Sequence, residues 1–316
     1  MSLLSLLRAQ YKHLPIPLSP DDVAGRTYIV TGANSGLGLE CTKHLVRLGA
    51  ARVIMAVRNV QSGEEAKAAI EGETGRCAEG GGELDRIDGL IENAAIANNT
   101  WLELEGNASD YTVNVLSTIL LAALMLPHME KSAQKFDILP RIAIIGSGAA
   151  FQARAVLDKL DINDIFGDLR NREKWEPQIT SNYPLSKLLL HFAYLQLIRL
   201  APVERTGVVI NLVNPGICYS GLTRNANMTM WLQVNLARLL MGRTAEAGSR
   251  TLLHGLAVGK EGHGKYLSEC EISEHLVPEW VTDDDGKKWQ IRVWEQVSEI
   301  LQKEQPGCLD GLSKSS

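Results

Sequence analysis

The chain lacks several features that would place it in other classes. Its five cysteines, Cys41, Cys77, Cys218, Cys270 and Cys308, are odd in number, scattered and without a CxxC pair. That excludes a disulfide framework or a zinc site as the organising device and suits a reducing compartment. Lys and Arg form no block and the formal net charge is −5, so the electrostatic footprint of a nucleic-acid binder is missing. None of the seven histidines stands in an H-x-x-x-H or comparable pattern, and no metal is expected. The apolar run near the start, Ser2 to Leu7 in "MSLLSLLRAQ", is too short to span a bilayer or act as a secretory core. A cytoplasmic protein with no transmembrane span is therefore expected, its first residues packed on the domain or resting on a membrane surface.

One further absence lies inside the chain. "GETGRCAEGGGELDRI" (72–87) contains three consecutive glycines and no apolar run. Sixteen residues cannot hold both a strand of about five and a helix of about eleven with their connections.

What is present is an ordinary globular composition, 45% hydrophobic and 22% charged over 316 residues, long enough for a sizeable core. Strand-like runs alternate with amphipathic helical stretches from about residue 26 to residue 270. The runs "TYIVTG" (27–32), "RVIMAV" (52–57), "DGLIENA" (88–94), "RIAIIGS" (141–147), "VVINLVNP" (208–215) and "KYLS" (265–268) read as strands, several of them apolar enough to be covered on both faces. Helices are predicted at about 36–48, 60–71, 107–131, 183–200, 229–241, 245–258 and 284–305, with Pro127 stopping or kinking the third. The pattern predicts an α/β, Rossmann-like, doubly wound parallel sheet over 23–275. An N-terminal extension (1–22) precedes it, and a C-terminal helix with a frayed tail (276–316) follows.

"TGANSGLG" (31–38) follows the first strand and opens a helix, which puts Gly32, Asn34, Ser35, Gly36, Leu37 and Gly38 where a pyrophosphate approaches a helix N-terminus. Beyond the second strand, where an acidic residue would take the ribose hydroxyls of NAD, stands Arg58. A guanidinium there attracts a 2′-phosphate, which favours NADP(H) over NAD(H). The alternative is a solvated surface arginine.

Tyr183 and Lys187, four apart in "NYPLSK" with Pro184 suited to a first turn, would share one helical face. A phenol has an ordinary pKa near 10, and a neighbouring ammonium stabilises its phenolate. Ser147 ends a strand at the sheet's carboxyl edge, where it either donates to a substrate oxygen or caps the loop. Around it the nucleophile-elbow pattern of hydrolases is absent, Ile145 and Ala149 standing where glycines would. Asn114, within the apolar "YTVNVLSTILLAAL", needs partners if buried; it either satisfies neighbouring backbone or holds a water for a proton relay.

Read in order, "TGANSGLG", "ENAA" (92–95), Asn114, Ser147, "YPLSK" (183–187) and "NPG" (214–216) resemble the signature series of the short-chain dehydrogenase/reductase family, nearest to a branch like retinol dehydrogenases and fungal relatives. The resemblance covers roughly 23–270. It implies hydride transfer between a nicotinamide and a small alcohol or carbonyl. Tyr183 would be the acid/base, Lys187 would lower its pKa and hold the ribose, Ser147 would bind the substrate oxygen, and Asn114 would support the relay. Asn93 and Ala94 would stand beside the adenine pocket, and Pro215 and Gly216 would line the nicotinamide side; assembly as a homo-oligomer is compatible with all of this.

Three departures follow. Ala95 stands where the family has Gly, so its turn must accept a Cβ. The Ser147–Tyr183 loop is long and is expected to shape the pocket rather than the chemistry. Family members also place an edge strand ending in Asp and a recrossing helix where residues 72–87 stand, so one edge strand is expected to be missing. Helix 60–71 must then either change face or leave apolar sheet uncovered. The rival reading is a short, cofactor-impaired isoform acting through protein contacts or not at all. The Met, Trp and Leu residues of 216–242 suggest a lid for an apolar substrate, or simple packing.

Overall fold

The computed structural model describes residues 8–76, 84–219, 221 and 242–312. Seven strands form one sheet in the order β2-β1-β3-β4-β5-β6-β7: β1 Thr27–Thr31, β2 Arg52–Ala56, β3 Gly89–Glu92, β4 Arg141–Ile145, β5 Val209–Asn214, β6 Tyr266–Ser268 and β7 Glu271–Ile272. The first six are parallel, as the Val- and Ile-rich runs predict, and β7 returns antiparallel to β6. Sequence reading does not anticipate β7. Its tight return is made by two non-glycine residues in the left-handed region, Glu269 at φ 51° and Cys270 at φ 58°, which carry no glycine signal.

Strand alternation divides the core in two. Tyr28, Val30, Val53, Ile91, Ala143, Ile145, Val209 and Val213 face one side, where α1 (Gly36–Arg47), α2 (Val60–Thr74) and α5 (Ala245–Ala257) pack. Ile29, Leu90, Ile142, Ile144, Ile210 and Leu212 face the other, covered by α3 (Thr118–Phe136) and α4 (Asn182–Leu200), with α6 (Asp284–Glu304) packed outside α4. The expected helix at 229–241 lies outside the described residues.

Helix α2 does not change face. Its Ile70 packs in the same cluster as Cys41 and Leu45 of α1, so the β1–α1–β2 and β2–α2–β3 connections use one face but run in opposite directions across the sheet. The two are therefore of opposite hand, a departure from the rule that such crossovers are right-handed. Among the described residues β2 is the edge strand, and apolar surface is left on the far side: Ile54 is only partly covered and Leu124 of α3 is 40% exposed.

Pro127 does not stop α3, which runs nine residues further. Proline removes one backbone donor, but Leu126 and Met129 on either side are both wholly buried and keep the helix running through it. Ser109–Phe136 is long and apolar enough to cross a membrane, yet Ile119, Ala122 and Ala123 spend its apolar face on the sheet. The expected fraying of the tail is also corrected as far as residue 312. Cys308, Leu309 and Leu312 are buried in the core, and the Gly311 carbonyl accepts from Arg205.

The N-terminal segment is docked. Arg250 donates to the Leu14 carbonyl at 2.6 Å, and Arg243, only 5% exposed, donates to the carbonyls of Ala9, Gln10 and Pro215.

Candidate active site

The reactive side chains gather at the carboxyl edge of β1, β3, β4 and β5. After β1 the backbone turns through Gly32 at φ 64° and Gly36 at φ 56°, which side-chain-bearing residues rarely adopt. Gly38 answers a different need: a Cβ there would lie 2.5 Å from the Gly32 carbonyl oxygen and 2.6 Å from Asn93 Nδ2. Asn93 in turn donates to the Thr31 carbonyl at 3.0 Å, and the Ala94 amide donates to the Thr31 hydroxyl at 2.9 Å. The glycine loop and the end of β3 are thus one unit. Asn34 reaches Ser62 of α2 at 3.2 Å, Ser35 stands at the α1 N-cap, and Leu37 packs in the core beside α5. Ala95 has no positive φ, so its Cβ is accommodated without strain.

Arg58 is exposed at the end of β2 and makes no ion pair among the described residues. The next residue, Asn59, caps α2.

Asn114 is completely buried inside a π-helical stretch, Thr112–Ser117, a local widening often found at functional sites. Its amide satisfies neighbouring backbone: Oδ1 accepts from Ile96 N at 3.0 Å, and Nδ2 donates to Ile96 O and to Ser186 Oγ, both at 2.9 Å. Asn114 therefore ties the segment after β3 to the helix that carries Lys187.

Ser147 leaves β4 and caps a 3₁₀ turn, accepting from Ala149 N at 3.2 Å. Its hydroxyl lies near enough to the Tyr183 phenol to lower that phenol's proton affinity. Burial pushes that phenol above its ordinary value, and Ser147 pulls it back. Lys187, 3% exposed, donates to the Ile145 carbonyl at 2.6 Å. Burial brings its ammonium down to about 8, opposed by the charge of Glu92. In this arrangement Lys187 is turned to the strand end rather than to the phenol, and Tyr183 feels Asp110 and Cys218 instead.

Pro215 and Gly216 lie across from Ser147, because Asn214 Oδ1 receives the amides of both Gly148 (3.1 Å) and Gly216 (3.2 Å). Gly216 has φ 77°, and a Cβ there would meet Arg243 and the Gln10 amide within 3 Å.

Several site residues escape sequence reading. Asp110, pushed up to about 6 by burial, accepts from Asn98 N and influences Tyr183. Gln10, Arg243 and Asn214 join segments more than fifty residues apart, and no local pattern reports such a joint. The only sequence cue for Glu92 is a carboxylate in an otherwise apolar strand. The long 148–181 loop folds into short helices whose Phe166, Leu169 and Trp175 are buried, and Gln296 of α6 bonds its backbone. Most of the expected lid, 220 and 222–241, lies outside the described residues.

The KR domain family matches residues 26–80. A short chain dehydrogenase/reductase of Cryptosporiopsis sp. is 35% identical over 320 aligned positions, covering 94% of this chain and 96% of that protein. A short-chain dehydrogenase of Penicillium roqueforti is 32% identical, covering 97% and 85%. Both alignments are longer than the 316-residue chain, so this chain carries gaps where the relatives have residues. The fold is also that of a 3-oxoacyl (acyl-carrier-protein) reductase from Agrobacterium tumefaciens solved with NADP bound, at TM-score 0.54 and 20% identity over 78% of this chain and 93% of that one. The six ordered motifs thus coincide with likeness along nearly the whole sequence: the chain belongs to the short-chain dehydrogenase/reductase family, whose members are oxidoreductases acting on CH–OH groups.

Proposed function

We propose that this protein interconverts an alcohol and a carbonyl on a small, apolar substrate with NADP(H) as cofactor, through Tyr183, Ser147, Lys187 and Asn114. The observation that carries the reading is the meeting of Tyr183 and Ser147 at the sheet's carboxyl edge, with the buried Lys187, one turn along the same helix, held on the last residue of β4.

The residues fit a dinucleotide. Gly38 leaves free a space that a Cβ would fill against the Gly32 carbonyl, and Arg58 offers an exposed guanidinium at the end of β2. Gly32, Gly36, Asn93, Ala94, Pro215 and Gly216 would line the remainder. The nicotinamide, when bound, donates or accepts the hydride.

In carbonyl reduction Tyr183 donates its phenol proton to the substrate oxygen, while Ser147 donates a hydrogen bond that fixes this oxygen and offsets its developing charge. In alcohol oxidation the phenolate takes the proton back. Lys187 makes that proton easier to release once its ammonium turns from the Ile145 carbonyl towards the phenol on the same helical face. Asn114 holds Ile96 and Ser186 in register so that Lys187 is presented from a fixed turn.

The test is a fluorescence titration with NADPH, followed by a screen of lipophilic ketones and aldehydes for NADPH consumption. Binding and turnover in the natural protein, with turnover lost in Tyr183→Phe, support the reading. The rival, a shortened and cofactor-impaired isoform, draws on the gaps in this chain and on β2 being an edge strand among the described residues. It is favoured if the folded protein takes up neither NADPH nor NADH.

A further inference from the structure

Glu92 is 4% exposed and neither carboxyl oxygen has a hydrogen-bond partner among the described residues. Such a group is costly to keep unless something nearby compensates. Register shows what does. Glu92 pairs with Ile144 across β3 and β4, so both side chains point to the face covered by α3 and α4. Lys187 reaches down from α4 to the carbonyl of Ile145, one residue further along β4. The carboxyl and the ammonium therefore stand over neighbouring strands, about 4.8 Å apart in a sheet, at the same height and on the same face.

A cavity of about 90 Å³ adjoins Glu92, lined also by Thr31, Val113, Ser117, Thr118 and Leu121. The Ser117 and Thr118 hydroxyls are spent on the Thr112 and Val113 carbonyls, so the cavity is walled mainly by apolar atoms and supplies Glu92 with no partner. It lies between β1, β3 and α3, towards the part of the face that no helix covers.

We propose that Glu92 is a positioning residue for Lys187: its carboxyl, on the same face of the adjacent strand, keeps the ammonium charged where it bonds the Ile145 carbonyl. The proposal rests on the role given to Lys187 above. It adds a carboxyl from β3 to the ammonium and the phenol carried by α4.

The surroundings leave few competitors. From α4 Glu92 is faced by Lys187; from β1, β4 and α3 it meets Thr31, Ile144, Ser117 and Thr118, none of which titrates in the usual range. Lys187 is influenced by Glu92 alone among charged groups, whereas Tyr183 feels Asp110 and Cys218. Burial pushes the Glu92 carboxyl well up and the Lys187 ammonium pulls it back, each supporting the other's charge.

The test has two arms. In the first, Glu92→Gln, Lys187→Met and the double variant are unfolded in urea at pH 7.5, a cycle that needs no enzymatic activity. Non-additivity of tenfold or more in the folding constant is expected; additivity within twofold overturns the proposal. In the second, the alkaline limb of NADPH-dependent carbonyl reduction is compared between natural protein, Glu92→Gln and Glu92→Asp. Removing the carboxylate should move the limb about one pH unit towards acid, leaving the rate at low pH within threefold, and Asp should restore it. An unmoved limb, or an equal loss at every pH, overturns the proposal. If the natural protein binds no dinucleotide, the proposed function fails while the urea cycle still decides the Glu92–Lys187 coupling.

Discussion

The guanidinium of Arg243 holds the carbonyl of Gln10, 233 residues away in the chain, at 3.2 Å, and with the same side chain holds Pro215 at 3.2 Å. The N-terminal segment is thereby fastened to the turn that begins with Pro215 and Gly216. Replacing Arg243 by Met leaves the Gln10 carbonyl without its donor, at about 1–3 kcal/mol, and takes one of two donors from each of the Ala9 and Pro215 carbonyls, which keep Lys12 N and Cys218 Sγ. Arg243→Met should lower stability by roughly 3 kcal/mol in urea unfolding. Removal of residues 1–18 should do the same, because Gln10 and Leu14 are the other halves of these contacts. Stability equal to the natural protein in both would show the strap to be idle.

Gly38→Ala offers a sharper test of the glycine loop. In an ordinary helix the change stabilises by about 1 kcal/mol. Here the new methyl would sit 2.5 Å from the Gly32 carbonyl oxygen and 2.6 Å from Asn93 Nδ2, so backbone must move. We expect net destabilisation of about 2 kcal/mol in thermal or urea unfolding and weaker NADPH binding. A gain in stability would mean that the loop has slack.

How far the sequence discloses these features depends on their range. The glycine turn, the strands and the Tyr183–Lys187 face are local patterns, and each appears within a few residues of where periodicity places it. As a stop signal Pro127 misleads because a local rule meets a deeply buried helix, where Leu126 and Met129 outweigh one lost hydrogen bond. The tail misleads because "PGCLDGLSKSS" is weakly apolar by itself, while Leu309 and Leu312 find a prepared surface. The face of α2 is set by Ile70 against α1, a long-range contact that overrides crossover handedness. Glu92, Asp110, Gln10 and Arg243 owe their environment to residues from other strands and helices, so nothing beside them in sequence announces it.

Proton affinities give the next expectation. Burial holds the Tyr183 phenol protonated through the neutral range, the form needed to donate in carbonyl reduction. Lys187, with its ammonium brought down to about 8, is charged below that pH and loses its proton above it. The value of kcat/KM for reduction should therefore be level below about pH 7 and fall above about pH 8, one proton per limb. Alcohol oxidation, which needs the phenolate, should go on rising with pH beyond that interval, because burial raises the phenol above its ordinary value. Tyr183→Phe should lower both directions by about 10²–10⁴-fold while leaving stability within about 1 kcal/mol, because only the hydroxyl shared with Ser147 is lost. A Phe variant with near-natural turnover would remove Tyr183 from the chemistry.

Cofactor choice turns on Arg58. The side chain is exposed and carries no ion pair among the described residues, so Arg58→Ala should change stability by no more than about 0.5 kcal/mol. If its guanidinium meets a 2′-phosphate, the loss of one charge-assisted contact of about 1.5–3 kcal/mol raises the Kd for NADPH by roughly tenfold to a hundredfold. NADH lacks that phosphate, so its affinity should be unmoved. The contact is between exposed charges and should also weaken with salt, the NADPH preference shrinking as ionic strength rises. Parallel titrations of natural protein and Arg58→Ala with both dinucleotides, at low and high salt, measure this directly. Equal losses for NADPH and NADH would place Arg58 in the general support of the loop, and no loss for either would leave it a solvated surface arginine.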